Sequence, residues 1–92
     1  NIVNISSIAG KQIPGRLIAY GISKAGVDSF TKGLALELSK YGVRVNTISP
    51  GPVKTDILLN AGDETSWECV SQFTPLGKVS EPEEIGNLVL FL

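Results

Sequence analysis

The chain has no histidine, a single cysteine, a formal net charge of −1 and no long apolar run. Each shortage excludes something. Without histidine there can be no histidine-based triad and no histidine metal site, and no metal is expected. Cys69 alone can form neither an internal disulfide nor a structural zinc site, and one thiol favours a reducing, cytoplasmic setting. A near-neutral chain with no basic block lacks the electrostatic footprint of a nucleic-acid binder. No stretch is long enough to cross a bilayer. Asn1 leads straight into an apolar run with no charged region before it, unlike a signal peptide. The far end stops inside Leu88-Val89-Leu90-Phe91-Leu92. Both ends are therefore expected to be internal points of a longer polypeptide. At 92 residues, 42% of them hydrophobic, the chain suffices for one small domain or a piece of a larger one. A core of that size is modest, since chains of about this length bury roughly 60% of their unfolded surface.

What is present begins with Ile2, Val3 and Ile5, a short apolar run ending in Ser6-Ser7. It reads as a strand buried on both faces of a parallel sheet. Ligand groups of such sheets sit beyond the carboxyl ends of the strands, where Ser7 falls, although a strand-terminating turn serine fits equally. The sequon Asn4-Ile5-Ser6 is discounted because it lies in the apolar run rather than in a surface loop. Ala9 to Ala19 contains Gly10, Pro14 and Gly15, has no period, and reads as a loop bringing Ser7 towards Tyr20.

Tyr20-Gly21-Ile22-Ser23-Lys24 opens a predicted helix running to Tyr41, with Gly42 as its C-cap and Val27, Phe30, Leu34, Leu38 and Tyr41 as its apolar stripe. Residues four apart share a helix face, so a phenol and an ammonium would meet there. A phenol has a reference pKa of ~10, and a neighbouring cation stabilises its phenolate, which suits the pair to proton transfer. The same spacing also fits a solvated face. Gly26, Ser29 and Gly33 form a line of small residues that would admit a close neighbour, unless the glycines are merely tolerated. Ser29-x-x-Lys32 matches an acyl-transfer motif but lacks its companion elements and is set aside.

Val43 to Ser49 reads as a second strand, stopped by Pro50-Gly51-Pro52. Strand, long helix and strand make a βαβ unit with parallel strands, and Ser7 and the Pro50-Gly51 turn would lie at the same sheet edge. Beyond Thr55, short helical pieces at Asp56 to Leu59 and around Trp67, Val70 and Phe73 suggest either a lid or a plain connector. Pro75-Leu76-Gly77 is a turn, and Ser80-Glu81-Pro82-Glu83 has the capping-box pattern for a last helix reaching Leu92.

In this order, Asn4-Ile5-Ser6-Ser7, Tyr20-x-x-x-Lys24-Ala25-Gly26, Arg44-Val45-Asn46 leading into Pro50-Gly51-Pro52-Val53-x-Thr55, and Glu81-Pro82-Glu83-Glu84-Ile85 resemble the C-terminal half of the short-chain dehydrogenases/reductases. The resemblance implies an α/β fold, part of a doubly wound, Rossmann-like parallel sheet in three αβα layers. It implies that residues 1–92 are the C-terminal portion of a single NAD(P)-binding domain. Tyr20 would be the general acid/base in hydride transfer between NAD or NADP and a small secondary alcohol or ketone. Lys24 would stabilise the phenolate and hydrogen-bond the nicotinamide ribose. Ser7 would donate to the substrate oxygen, as a preorganised group aimed at developing charge, and Ser6 would alternate to the other side of the strand. Pro50, Gly51, Val53 and Thr55 would lie against the nicotinamide, the segment after Thr55 would form the substrate lid, and the long helix would pair with its counterpart in a homo-oligomer, a dimer or tetramer.

Several family features are not in these residues: the glycine-rich phosphate loop, the residue choosing between NAD and NADP, the Asn-Ala-Gly strand end, the tetrad asparagine and the last strand. Asn4 and Asn46, within the two strands, do not replace that asparagine. The expectation is accordingly that the isolated segment neither folds stably nor turns over substrate. The alternatives are a truncated, non-catalytic binding or regulatory product and, more distantly, an epimerase or dehydratase using a similar Tyr-Lys pair.

Overall fold

The computed structural model describes residues 1–12 and 15–92. Pro14, one of the loop breakers named above, lies outside the described residues. The described chain divides into two units, residues 1–50 with Leu92, and residues 51–91.

In the first unit, β-branched Ile2–Ile5 forms β1 and Val45–Ile48 forms β2, as expected of side chains that pack well on a pleated surface. The strands pair in parallel, Ile2 opposite Val45 and Ile5 opposite Ile48. Ile18–Leu38 between them is helix α1, giving the parallel βαβ arrangement of a partial Rossmann-like α/β fold. Pairing continues past the strand ends: Ser6 N donates to Ile48 O (2.7 Å) and Ile8 N to Pro50 O (3.0 Å). Ser6-Ser7 and Ser49-Pro50 therefore run side by side at the carboxyl edge. β2 is two residues shorter at its start and one at its end than the Val43–Ser49 run predicted from composition.

Helix α1 begins before Tyr20, because Gly21 N donates to Leu17 O at 2.7 Å and closes the first turn from Leu17. Its α-helical part stops at Leu38, and a 3-10 turn over Ser39–Tyr41 leads to Gly42, whose φ of +70° provides the expected left-handed cap. The apolar stripe faces inward only in part. Phe30 is 60% and Tyr41 69% exposed, whereas Val27, Leu34 and Leu38 are half-buried. The buried helix residues are Gly21 and Thr31; Thr31, four residues beyond Val27 and three before Leu34, shares their inward face and is held there by polar bonds. Thr31 Oγ1 donates to Val27 O (2.8 Å), accepts from Asn4 Nδ2 of β1 (2.9 Å) and lies 3.1 Å from Thr47 Oγ1 of β2. Buried polar groups with such partners replace an apolar contact at no desolvation deficit.

β1 is half-buried rather than covered on both faces, and Ile5 is 44% exposed. The line of small residues lies on the uncovered side of α1: Ile18, Ile22, Gly26, Ser29, Gly33 and Leu36 are all exposed. A Cβ added at Gly26 or Gly33 would meet nothing within 4 Å, so the close neighbour expected there is not supplied by the described residues.

In the second unit Val53 and Ser80 form a single parallel bridge, followed or flanked by the short helices α2 (Ile57–Asn60) and α3 (Trp67–Ser71) and by α4 (Pro82–Phe91). Gly77, in the expected turn, has a φ of +66°. The box that opens α4 sits one residue later than the sequence suggested. Glu84, not Glu83, reaches back to accept from Glu81 N at 2.8 Å. Pro82 is the first helical residue, a position that suits its fixed φ and missing N–H, and this makes Glu81 rather than Ser80 the flanking residue. Among the described residues no helix is long and apolar enough to cross a membrane.

Candidate active site

The two serines after β1 are separated as strand alternation dictates. Ser6 is 4% exposed and its hydroxyl donates to the Lys24 carbonyl of α1 at 3.0 Å. Ser7 has extended backbone and caps the 3-10 turn Ile8–Gly10. Its Oγ accepts from Ala9 N at 3.1 Å, which leaves the hydroxyl proton available to a further acceptor.

Tyr20 and Lys24 share a face of α1, with Lys24 Nζ 5.7 Å from the centroid of the Tyr20 ring. The same ammonium donates to Ile5 O at 3.1 Å. An ammonium has three donors, so two remain beyond the Ile5 bond. Among the described residues no hydrogen bond joins Ser7 to Tyr20 or Lys24. Pro50, which has no N–H, is tied to the Ser7 turn through its carbonyl, the acceptor for Ile8 N.

Two residues that motif reading passed over complete this edge. Lys11 Nζ donates to Ser49 Oγ (2.7 Å) and pairs with Asp28 Oδ2 (3.4 Å). Asp28 has a side chain only 15% exposed, and its Oδ1 is buried without a hydrogen-bond partner among the described residues. The Ser6 hydroxyl has one proton to give, and the 3.0 Å geometry assigns it to Lys24 O. That proton can serve only one acceptor at a time; turned to Asp28 instead, it is the main influence holding this carboxyl below its usual range, opposed by burial and aided by Lys11 and Lys32. Asp28 lies four residues beyond Lys24, on its face, which was the available signal. Nothing in the sequence marked Lys11.

The remaining candidates belong to the second unit. The Val53–Ser80 bridge uses Ser80 N to Pro52 O (3.0 Å) and Lys54 N to Ser80 O (2.8 Å). In a parallel ladder that pattern turns the N–H and C=O of Val53 itself away from Ser80. Thr55 Oγ1 accepts from Ile57 N at 3.3 Å, so its own proton is free to donate. Gly51 is exposed. Thr55 also lines an open depression with Lys54, Asp56, Trp67, Glu81, Pro82 and Glu83. Among the described residues no group of three or more cysteine, aspartate or glutamate side chains could hold a metal ion.

Comparison with known proteins gives a consistent result. A family model described as enoyl-(acyl carrier protein) reductase matches residues 1–92. A 7alpha-hydroxysteroid dehydrogenase of Paraclostridium sordellii is 40% identical over 91 residues, 99% of this chain and 34% of that protein. Among solved structures, ElxO with NADP bound is 34% identical with a TM-score of 0.86, covering 99% of this chain and 38% of its own. A 3-oxoacyl-(acyl-carrier protein) reductase from Brucella melitensis with bound NAD is 35% identical with a TM-score of 0.79, covering 99% and 32% respectively. The chain thus spans about a third of the length of the curated relatives it matches.

Proposed function

The chain belongs to the short-chain dehydrogenase/reductase family, and from that premise we propose that it is part of an NAD(P)-dependent oxidoreductase with Ser7, Tyr20 and Lys24 as catalytic residues. On this reading residues 1–92 are the C-terminal portion of one Rossmann domain, and the substrate is a small secondary alcohol or ketone. The nicotinamide cofactor, when bound, supplies or accepts the hydride. Tyr20 gives its phenolic proton to the carbonyl oxygen, or takes one from the alcohol in the reverse direction. Ser7 donates its free hydroxyl proton to the same oxygen, fixed in direction by its bond from Ala9 N. Lys24 holds the cofactor's ribose hydroxyls with the two donors that its Ile5 bond leaves free.

Pro50, Gly51, Val53 and Thr55 are the remaining cofactor-binding residues of this reading. The donor set suits a carboxamide: Val53 offers an outward N–H and C=O, and Thr55 an unspent hydroxyl proton. The exposed stripe from Ile18 to Leu36 supports a homo-oligomer in which α1 packs on its counterpart. The single observation carrying the proposal is the tethered ammonium of Lys24, 5.7 Å from the Tyr20 ring. The test is Tyr20→Phe in the native polypeptide that carries these residues, with steady-state kinetics and a fluorescence titration of NAD(P)H. Loss of one acid/base group should lower kcat by at least ~100-fold with cofactor affinity changed less than about threefold. Activity close to wild type would refute the assignment of Tyr20.

A further inference from the structure

Three contacts meet at Lys24, and all three come from the segment that carries Ser7. The Ser6 hydroxyl donates to the Lys24 carbonyl at 3.0 Å. The Lys24 ammonium donates to Ile5 O at 3.1 Å. Gly10 lies against the peptide bond after Lys24: a Cβ added there would stand 2.8 Å from Lys24 C, 2.8 Å from Ala25 N and 3.2 Å from Lys24 O. These are backbone atoms of a helix and cannot rotate aside as a flexible side chain would. Gly10 is not among the glycines with positive φ, so its use is close approach rather than turn geometry.

We propose that Gly10 and Ser6 are positioning residues that dock the Ser7 turn onto the Lys24 peptide and so set the distance and rotation between Ser7 and the Tyr20-Lys24 pair. This rests on the catalytic reading given above. The two docking points flank Ser7 in sequence, so Ser7 cannot shift relative to α1 without breaking one of them. A methyl at Gly10 must lever the turn away from the helix until ordinary contact is restored, a retreat of at least about 0.6 Å. Displacement of a reacting group by about 1 Å can cost ~100-fold in rate. Removing the Ser6 hydroxyl leaves the Lys24 carbonyl with its helical bond alone, and the docking is loosened without a clash.

The experiment compares Gly10→Ala and Ser6→Ala with wild type and with Tyr20→Phe, in the native polypeptide that carries these residues. Binding-competent sites are counted by NAD(P)H fluorescence titration, and kcat and KM are expressed per site. Gly10→Ala should lower kcat per site by about 10- to 100-fold and Ser6→Ala by about 3- to 10-fold, with cofactor KM unchanged. A merely structural role would reduce the number of competent sites and leave kcat per site intact, which would overturn the proposal. Should Gly10→Ala fail to fold, Ser6→Ala decides by the same criterion. If Tyr20→Phe keeps its activity, the catalytic reading falls and this proposal with it. If Tyr20→Phe is inactive while Gly10→Ala and Ser6→Ala turn over at the wild-type rate, only the positioning proposal is refuted.

Discussion

Replacing Thr31 by valine tests whether α1 is held to the strands by polar bonding rather than by apolar packing. Thr31 is 5% exposed, and valine preserves its shape. The substitution removes three contacts: the donation to Val27 O at 2.8 Å, the acceptance from Asn4 Nδ2 at 2.9 Å and the 3.1 Å contact with Thr47 Oγ1. Val27 O keeps its helical partner, so that loss is small. The Asn4 amide and the Thr47 hydroxyl are each left without this partner in a water-poor seam, at about 1–3 kcal/mol apiece. One additional buried methyl offsets about 0.8 kcal/mol. The expected net destabilisation is about 3 kcal/mol, and for a urea slope of ~1–3 kcal/mol/M it would lower the midpoint by at least about 1 M. Thr31→Ser keeps the hydroxyl and loses one methyl, which should cost only about 1 kcal/mol. The assay is equilibrium urea unfolding of the native polypeptide, with the slope checked for constancy between variants. Either Thr31→Val lying within about 1 kcal/mol of wild type, or Thr31→Ser costing as much as Thr31→Val, would refute the polar account.

Two further outcomes follow from the same face and its opposite. The Asp28 carboxyl is held below its usual range in the folded chain, mainly by Ser6 and then by Lys11. Its contribution is therefore complete above the unfolded value of ~3.9 and is lost as pH falls through the lower folded value. Asp28→Asn should reduce stability at neutral pH and flatten the decline below about pH 4, read from urea midpoints across the acid range; an unchanged acid slope would count against Asp28. On the exposed face, Gly33→Arg places a charged side chain in the middle of the small-residue stripe, where an added Cβ meets none of the described residues within 4 Å. Sedimentation of the native polypeptide should show a smaller assembly with secondary structure intact, and an unaltered mass would remove α1 from the oligomer interface.

The βαβ order, the parallel pairing and the Gly42 cap were readable because each has a local chemical signature: β-branched runs, a helical period and a glycine at positive φ. The inward face of α1 was readable only in part. Val27, Leu34 and Leu38 were named correctly from their period, but periodicity counts only apolar residues, so it passed over Thr31, which sits among them with partners on both strands, and included Phe30, which faces outward. The displaced box at α4 has a similar origin, since Pro82 moves the first helical position and so selects Glu84 over Glu83. Ser7, Tyr20 and Lys24 could be named from spacing and resemblance, but Gly10 could not. Its importance lies in the room it leaves, since a Cβ there would stand 2.8 Å from a peptide group fourteen residues away, and only tertiary structure brings that group near.

The inward face of α1 is bonded turn by turn. Ser6 meets the Lys24 carbonyl, Lys11 meets Asp28, and Asn4 and Thr47 meet Thr31. Hydrophobic contact is weakly directional, whereas hydrogen bonds fix both distance and angle. Slippage by a single residue along an α-helix rotates each side chain by about 100° and translates it by ~1.5 Å. In α1 it would turn Lys24 away from Ile5 O and Tyr20, on the same face, with it. Directional bonds at three successive levels forbid that slip. The polar bonds of this seam thus suit the role proposed for α1, while Ile18, Ile22 and Leu36 lie on its exposed face.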